Sequence, residues 1–429
     1  MKTTYKTWLA IFVMGVLIGT VGFSAAFHER QSDDLMKSVK SPARTPVVDQ
    51  ADPAVTSAFH RFSQDLLVSA GTRAKENLMV SPLSVYLALA MTVNGAQGTT
   101  QQEMLGALAT GASLEEMNRS ASYWIGKLAT KEKDTELSIA NSIWIQHDYR
   151  VARPFLEKNA QYYDASARLL DFSRQDAPKV INDWVSKMTR GKITSIIDRT
   201  SADMLMILAN ASYFKSDWDE PFEANDTYDR TFQTTAGPLE TPFMHAARPM
   251  VWLDRSQAQG IMLPYKEKRF WFFALLPDAD VPVRTWLARQ DANQLFTGLA
   301  NTSAVHMQEV ELAIPPFTAT YADTLAQDLQ AMGMTAAFKP NTADFSLMSD
   351  QGTRDLFISD VLHKTFIRVD EEGTEAAAVT AVMMKATAYM REEIKRIVFD
   401  RPFFYGIMDT ETGLPLFIGI LDKPVAPSP

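Results

Sequence analysis

The chain has 429 residues, 46% hydrophobic and 22% charged, with ample apolar material for a large core. A net charge of −9 argues against nucleic acid as a partner, because phosphate binding needs a concentrated basic surface. The complete lack of cysteine excludes a thiolate nucleophile, a disulfide framework, a thiolate metal site and a lipidated N-terminal cysteine.

Lys2 and Lys6 precede an uncharged stretch from Thr7 to Phe27, centred on Ile11-Phe12-Val13-Met14, which is the pattern of a secretory signal. Ser24-Ala25-Ala26 offers small residues for cleavage before Phe27, yet the stretch is long enough to span a bilayer uncleaved. Residues 1–27 therefore read as a signal peptide or a signal-anchor. In both cases the bulk of the chain is exported, to a periplasmic or extracellular location, with an N-terminal membrane tether if the stretch is retained. Residues 28–53 are polar and hold Pro42, Pro46 and Pro53, so they read as a flexible linker with nothing to bury. No second linker or repeat follows, and one domain over 54–425 is the expectation.

Val55 to Val68 carries Phe59, Phe62, Leu66 and Leu67 at helical spacing. Ser81-Pro82 before Leu83-Ser84-Val85-Tyr86-Leu87 predicts a capped helix with proline in its first turn. Leu137 to Ile145 predicts a strand, and the apolar run Phe270 to Leu276 a strand buried on both faces. Phe403–Met408 and Leu416–Leu421, joined through Asp409 to Gly413, predict a β-hairpin. Early helices and late strands make the fold class α+β. There is no G-x-S-x-G elbow, no H-E-x-x-H and no phosphate-cradling loop, and the six histidines are scattered singly. An enzyme is not expected, nor a metal or cofactor.

Several spaced motifs point elsewhere. Asp370-Glu371-Glu372-Gly373-Thr374-Glu375-Ala376-Ala377-Ala378 resembles the hinge of the serpins. Asn77-Leu78-Met79-Val80-Ser81-Pro82-Leu83-Ser84 is similar to an early motif of that family. So are Ile181-Asn182-Asp183-Trp184-Val185 closing on Thr189-Arg190-Gly191-Lys192-Ile193, and Asn210-Ala211-Ser212-Tyr213-Phe214-Lys215 followed by Trp218 and Pro221-Phe222. Phe399-Asp400-Arg401-Pro402-Phe403 and Pro415-Leu416-Phe417-Ile418-Gly419 resemble its C-terminal signature. The resemblance implies a single domain of three β-sheets and eight or nine helices, with an exposed reactive loop near the C-terminus. It also implies suicide inhibition of serine proteases. The protease cleaves the loop and is acylated, and the freed loop inserts as a central strand of the largest sheet. The implied partner is a serine protease in a covalent acyl complex, and a monomer is expected.

The hinge segment suits that task. No proline lies between Gly373 and Arg401, and strand periodicity puts Thr374, Ala376, Ala378, Thr380 and Val382 on one face, with Glu375 on the other. By resemblance Ser81, Ser84, Asn210 and His363 form the shutter where the sheet parts, and Trp218 marks the breach where insertion begins. One departure stands out: Pro316 occupies the place of the lysine that often pairs with the hinge glutamate, here Glu371. The family's spacing sets the scissile bond at Thr387–Ala388, or Ala386–Thr387 with one residue of slack, which suits an elastase-like shallow pocket. Tyr389 would instead suit a chymotrypsin-like pocket and Lys385 a trypsin-like one. The alternative function is a non-inhibitory member acting as a binding or carrier protein.

Overall fold

The structure, a computed structural model, describes residues 32–39, 48–74, 76–129, 133–163, 166–301, 307–374 and 394–427. Nine α-helices lie among these residues: α1 (Pro53–Arg73), α2 (Pro82–Val93), α3 (Gly98–Leu108), α4 (Leu114–Leu128), α5 (Arg153–Tyr162), α6 (Ala177–Met188), α7 (Val283–Ala288), α8 (Ala292–Ala300) and α9 (Ala326–Ala331). The Asp52 carboxylate starts α1 by accepting from the Ala54 N–H at 2.8 Å, with Pro53 in the first turn. Every residue of α2 is buried. Pro82 opens that helix, but the predicted cap is absent, because the Ser81 hydroxyl makes no capping hydrogen bond.

The strands are β1 (Asp33–Asp34), β2 (Leu78–Val80), β3 (Thr135–Gln146), β4 (Ser166–Leu170), β5 (Met206–Asp217), β6 (Thr227–Thr234), β7 (Gly237–Arg255), β8 (Ala258–Pro264), β9 (Phe270–Pro277), β10 (Met307–Ile314), β11 (Phe317–Thr324), β12 (Asp360–Val369), β13 (Gly373–Thr374), β14 (Lys395–Val398), β15 (Phe403–Asp409) and β16 (Leu414–Leu421). A seven-stranded sheet has the order β1-β4-β3-β5-β13-β12-β11. Nine further strands run β14-β10-β7-β8-β9-β15-β16-β2, with β6 beside β7. The 19 residues of β7 pair with β6, then β10, then β8, so two of the three expected sheets are continuous through it. The predicted hairpin is present as β15–β16, and β9 is buried along its whole length.

The main core fills the space between the sheets and around α1 and α2. A second cluster lies on the outer face of the seven-stranded sheet. There Val180, Ile181, Trp184 and Val185 of α6 pack over Ile207, Ala209 and Ala211 of β5 and Leu362 of β12. The seam between β5 and β12 is thus covered on both sides.

The reading of residues 28–53 as a linker with nothing to bury is corrected. Asp33 and Asp34 pair antiparallel with Leu169 and Arg168 at the edge of the seven-stranded sheet. Ser32 is buried, and Leu35, Met36 and Val39 pack against the core. Arg168 draws the segment in, donating to the Ser32 hydroxyl at 3.0 Å and lying 3.5 Å from the Asp34 carboxylate. The prolines and charges outvoted three apolar side chains that needed a partner strand to be buried.

Candidate functional site

Strands β5 and β12 are parallel, and pair directly from Ile207↔Asp360 to Tyr213↔Phe366. Above that point they part. The chain turns back after Val369, and β13 enters the gap antiparallel to both neighbours, Thr374 standing between Ser216 and Val369. Only a glycine fits at 373. A Cβ there would lie 2.3 Å from the Ser216 carbonyl oxygen and 2.6 Å from the Asp217 Cα. Thr374 is fully buried, and its hydroxyl meets the Tyr265 hydroxyl at 2.7 Å. Its face of the strand therefore looks into the core.

Trp218 holds the turn from the side. Its indole N–H donates to the Asp370 carbonyl at 2.9 Å, its backbone N–H donates to the Glu372 carbonyl at 2.9 Å, and its ring stacks on Tyr265 at 4.6 Å. The Asp370 carboxylate accepts from Arg368 Nε at 2.8 Å and from the N–H groups of Glu372 and Gly373. Burial pushes its carboxyl above the ordinary carboxylate range against those bonds. Glu372 is also raised, by burial and by its neighbour Asp370.

With Pro316 in the place of a cation, Glu371 takes a hydroxyl instead: Thr227 Oγ1 donates to its carboxylate at 2.7 Å. The Phe222 N–H donates to the Glu371 carbonyl at 2.7 Å. Among the described residues no cation lies within ion-pair distance of Glu371. Thr227, at the head of β6, escaped sequence reasoning because 144 residues separate it from Glu371. Tyr265 was missed for the same reason.

Lower down, the closed seam brings Ser81, Ser84, Asn210 and His363 together with Asn141 of β3. His363 and Asn210 are register partners. His363 Nε2 accepts from the Ser81 N–H at 3.1 Å, so Nδ1 carries the proton it gives to the Asn210 side-chain oxygen. Ser84 lies 3.1 Å from the Asn141 amide. Burial lowers the His363 pKa to about 3, so the ring is neutral. Among the described residues, the Ser81 hydroxyl, the Asn210 amide nitrogen and the Ser212 hydroxyl find no hydrogen-bond partner. Glu375, Ala376, Ala377 and Ala378, and the reactive-bond candidates Lys385, Ala386, Thr387, Ala388 and Tyr389, lie outside the described residues.

The serpin (serine protease inhibitor) family model matches residues 57–424. The chain belongs to the serpin family. It is 32% identical over 377 residues to an uncharacterized serpin-like protein of Thermococcus kodakarensis, covering 86% of each chain. To human serpin B9 it is 31% identical, covering 81% of this chain and 93% of that one. Among solved structures it resembles the native state of the thermophilic serpin tengpin, with a TM-score of 0.84, 33% identity and coverage of 92% of this chain and 100% of that one. The latent state of the same protein gives 0.73 over 87% of this chain and 98% of that one. This serpin's structure therefore resembles the native form of tengpin more than the latent one. That agrees with a seam still closed below Thr374.

Proposed function

We propose that this serpin is a covalent-trapping inhibitor of serine proteases that works outside the cytoplasm. The observation that carries the reading is the hinge, seated two residues deep between β5 and β12 while the rest of the seam stays paired. If the inserting loop kept the register of Thr374, Ala378 would come to lie between Ser212 and Thr365, and Thr380 between Asn210 and His363. The small face of the loop would then look into the core, with the Thr380 hydroxyl beside the Asn210 amide.

Insertion exchanges one parallel ladder for two antiparallel ones. A net gain of roughly a dozen hydrogen bonds at ~1 kcal/mol each amounts to about 10 kcal/mol, comparable with the whole stability of many domains. The closed form is then a kinetic trap released by loop cleavage. Thr387 and Ala388 favour a protease with a shallow primary pocket, and the apolar stretch before Phe27 supports export.

Mixing the purified serpin with elastase, trypsin and chymotrypsin tests the reading. A complex that survives denaturing electrophoresis supports trapping. Clean cleavage of the loop with active enzyme released would instead support a non-inhibitory carrier. Mass spectrometry of the released peptide locates the bond: it starts at Ala388 for the favoured site, at Ala386 if Lys385 is recognised, and at Met390 if Tyr389 is.

A further inference from the structure

The edge segment 32–39 fixes where the N-terminus leaves the domain. Its pairing places Asp33 in one row with Leu169, Ile145 and Met206, at the foot of the seven-stranded sheet. The hinge residue Thr374 stands in the Ser216 row at the other end. Ten residues of β5 separate the two rows, about 33 Å at ~3.3 Å per residue. β1 is antiparallel to β4, β4 parallel to β3, and β3 antiparallel to β5, so β1 runs in the same direction as β5. The chain therefore enters from the foot and climbs. Five Cα steps join Phe27 to Ser32, a reach of at most about 18 Å.

We propose that Ser32–Val39 is an orienting clip: in a chain that keeps its N-terminal apolar run, it holds the foot of the domain against the bilayer and points the reactive loop away from it. The proposal rests on the exported, membrane-retained reading of residues 1–27. Without the clip the linker would extend from Phe27 to Pro53, and the domain could tumble at the end of it. The clip is modest, with two ladder residues and three apolar contacts, and its polar anchor is Arg168. That side chain meets Ser32 and Asp34 and lies 5.8 Å over the Trp144 ring.

The lack of cysteine makes the test direct. Ala202→Cys, just before β5 at the foot, and Ala224→Cys, beside the hinge, both introduce exposed single thiols for a donor dye. The full chain is placed in phosphatidylcholine vesicles carrying an acceptor-labelled headgroup lipid. Energy transfer is expected to be clearly stronger at Ala202→Cys than at Ala224→Cys. Asp34→Lys sets a cation against Arg168 and should bring the two labels to equal transfer, while adding Arg168→Glu restores the difference. Equal transfer in the parent chain, or a difference that survives Asp34→Lys, overturns the clip while leaving the anchor standing. A chain that washes off the vesicles overturns the anchor, and the proposal with it.

Discussion

The upper and lower halves of the β5–β12 seam are built from the same two strands but are in different conditions. Above, the two strands are separated by Gly373–Thr374, and the polar groups there are matched: Thr374 with Tyr265, Asp370 with Arg368 and two backbone N–H groups, Glu371 with Thr227. Below, the strands pair with each other, and among the described residues buried atoms of Ser81, Asn210 and Ser212 have no partner. The upper half already looks like a sheet that has accepted a strand. In the lower half the two strands are hydrogen-bonded directly to each other, with no third strand between them among the described residues. Under the proposed trapping reading, the seam below Thr374 is where further loop residues would enter.

The strongest way to break the contrast is to let the lower seam fill. Cleaving the loop with any protease should raise the melting temperature sharply, since about 10 kcal/mol of new ladder becomes available. Calorimetry of intact and nicked protein checks this, and equal melting temperatures would remove the basis of the trapping reading. Next in size is Thr374→Arg, which places a long cation in a fully buried position against Tyr265. Desolvating an unpaired charge costs more than the ~1.4 kcal/mol that equals a factor of ten, so complex yield should fall roughly tenfold or more. The variant should be cleaved as a substrate, and unchanged yield on a denaturing gel would show that insertion does not pass this position.

Acid should weaken the fold, and His363 makes the lower seam one of the places where it acts. The folded-state pKa of His363, about 3, lies below its ordinary value of 6.5, because burial disfavours the charged ring. Protonation thus favours the unfolded chain. The stability is fully present above about pH 6.5 and is lost as pH falls towards 3, at ~1.4 kcal/mol per unit. Between pH 7.5 and pH 5.0 the loss is about 2 kcal/mol, readable as a lower urea midpoint. His60, lowered mainly by its own burial, acts in the same direction, and the raised carboxyls of Asp65, Asp360 and Asp370 act in the opposite one. His363→Gln should flatten the slope without abolishing it. An unchanged slope would mean that the ring does not report on the seam.

The two halves also differ in how far sequence can reach them. Gly373, Thr374 and Asn210 are legible because each sits in a contiguous motif, His363 only by resemblance, and strand periodicity by itself puts Thr374 on the face opposite Glu375. Trp144, Phe270 to Leu276 and the β15–β16 hairpin are legible from apolar runs. Partners that meet only through the fold are not. Thr227 and Tyr265 reach the hinge from 144 and 109 residues away, and neither carries a local signal. Ser32–Val39 is easily misread because a two-residue strand of aspartates has no hydrophobic period, and its burial depends on Arg168 and the open edge of β4.

The smallest expected effect concerns the latch at the top. An ion pair and a hydroxyl hold a carboxylate by different physics. Charge attraction fails when the charge is removed, whereas a hydroxyl donor serves an amide oxygen nearly as well. Thr227 Oγ1 is the donor seen at Glu371, and among the described residues no cation stands within ion-pair distance of that carboxylate. Thr227→Val should therefore cost about 1 kcal/mol, the worth of one hydrogen bond to a half-buried charged group after solvent screening. That loss should appear as faster spontaneous insertion of the uncleaved loop on warming, seen as a gain in heat-resistant protein that no longer traps enzyme. Glu371→Gln, which removes the charge but keeps an acceptor, should stay near the parent rate in both low and high salt. If Glu371→Gln converts faster than Thr227→Val, or if salt accelerates the parent chain at this step, the latch is electrostatic. A cation outside the described residues would then have to supply it, and the matched upper seam would owe its order to charge rather than to the hydroxyl.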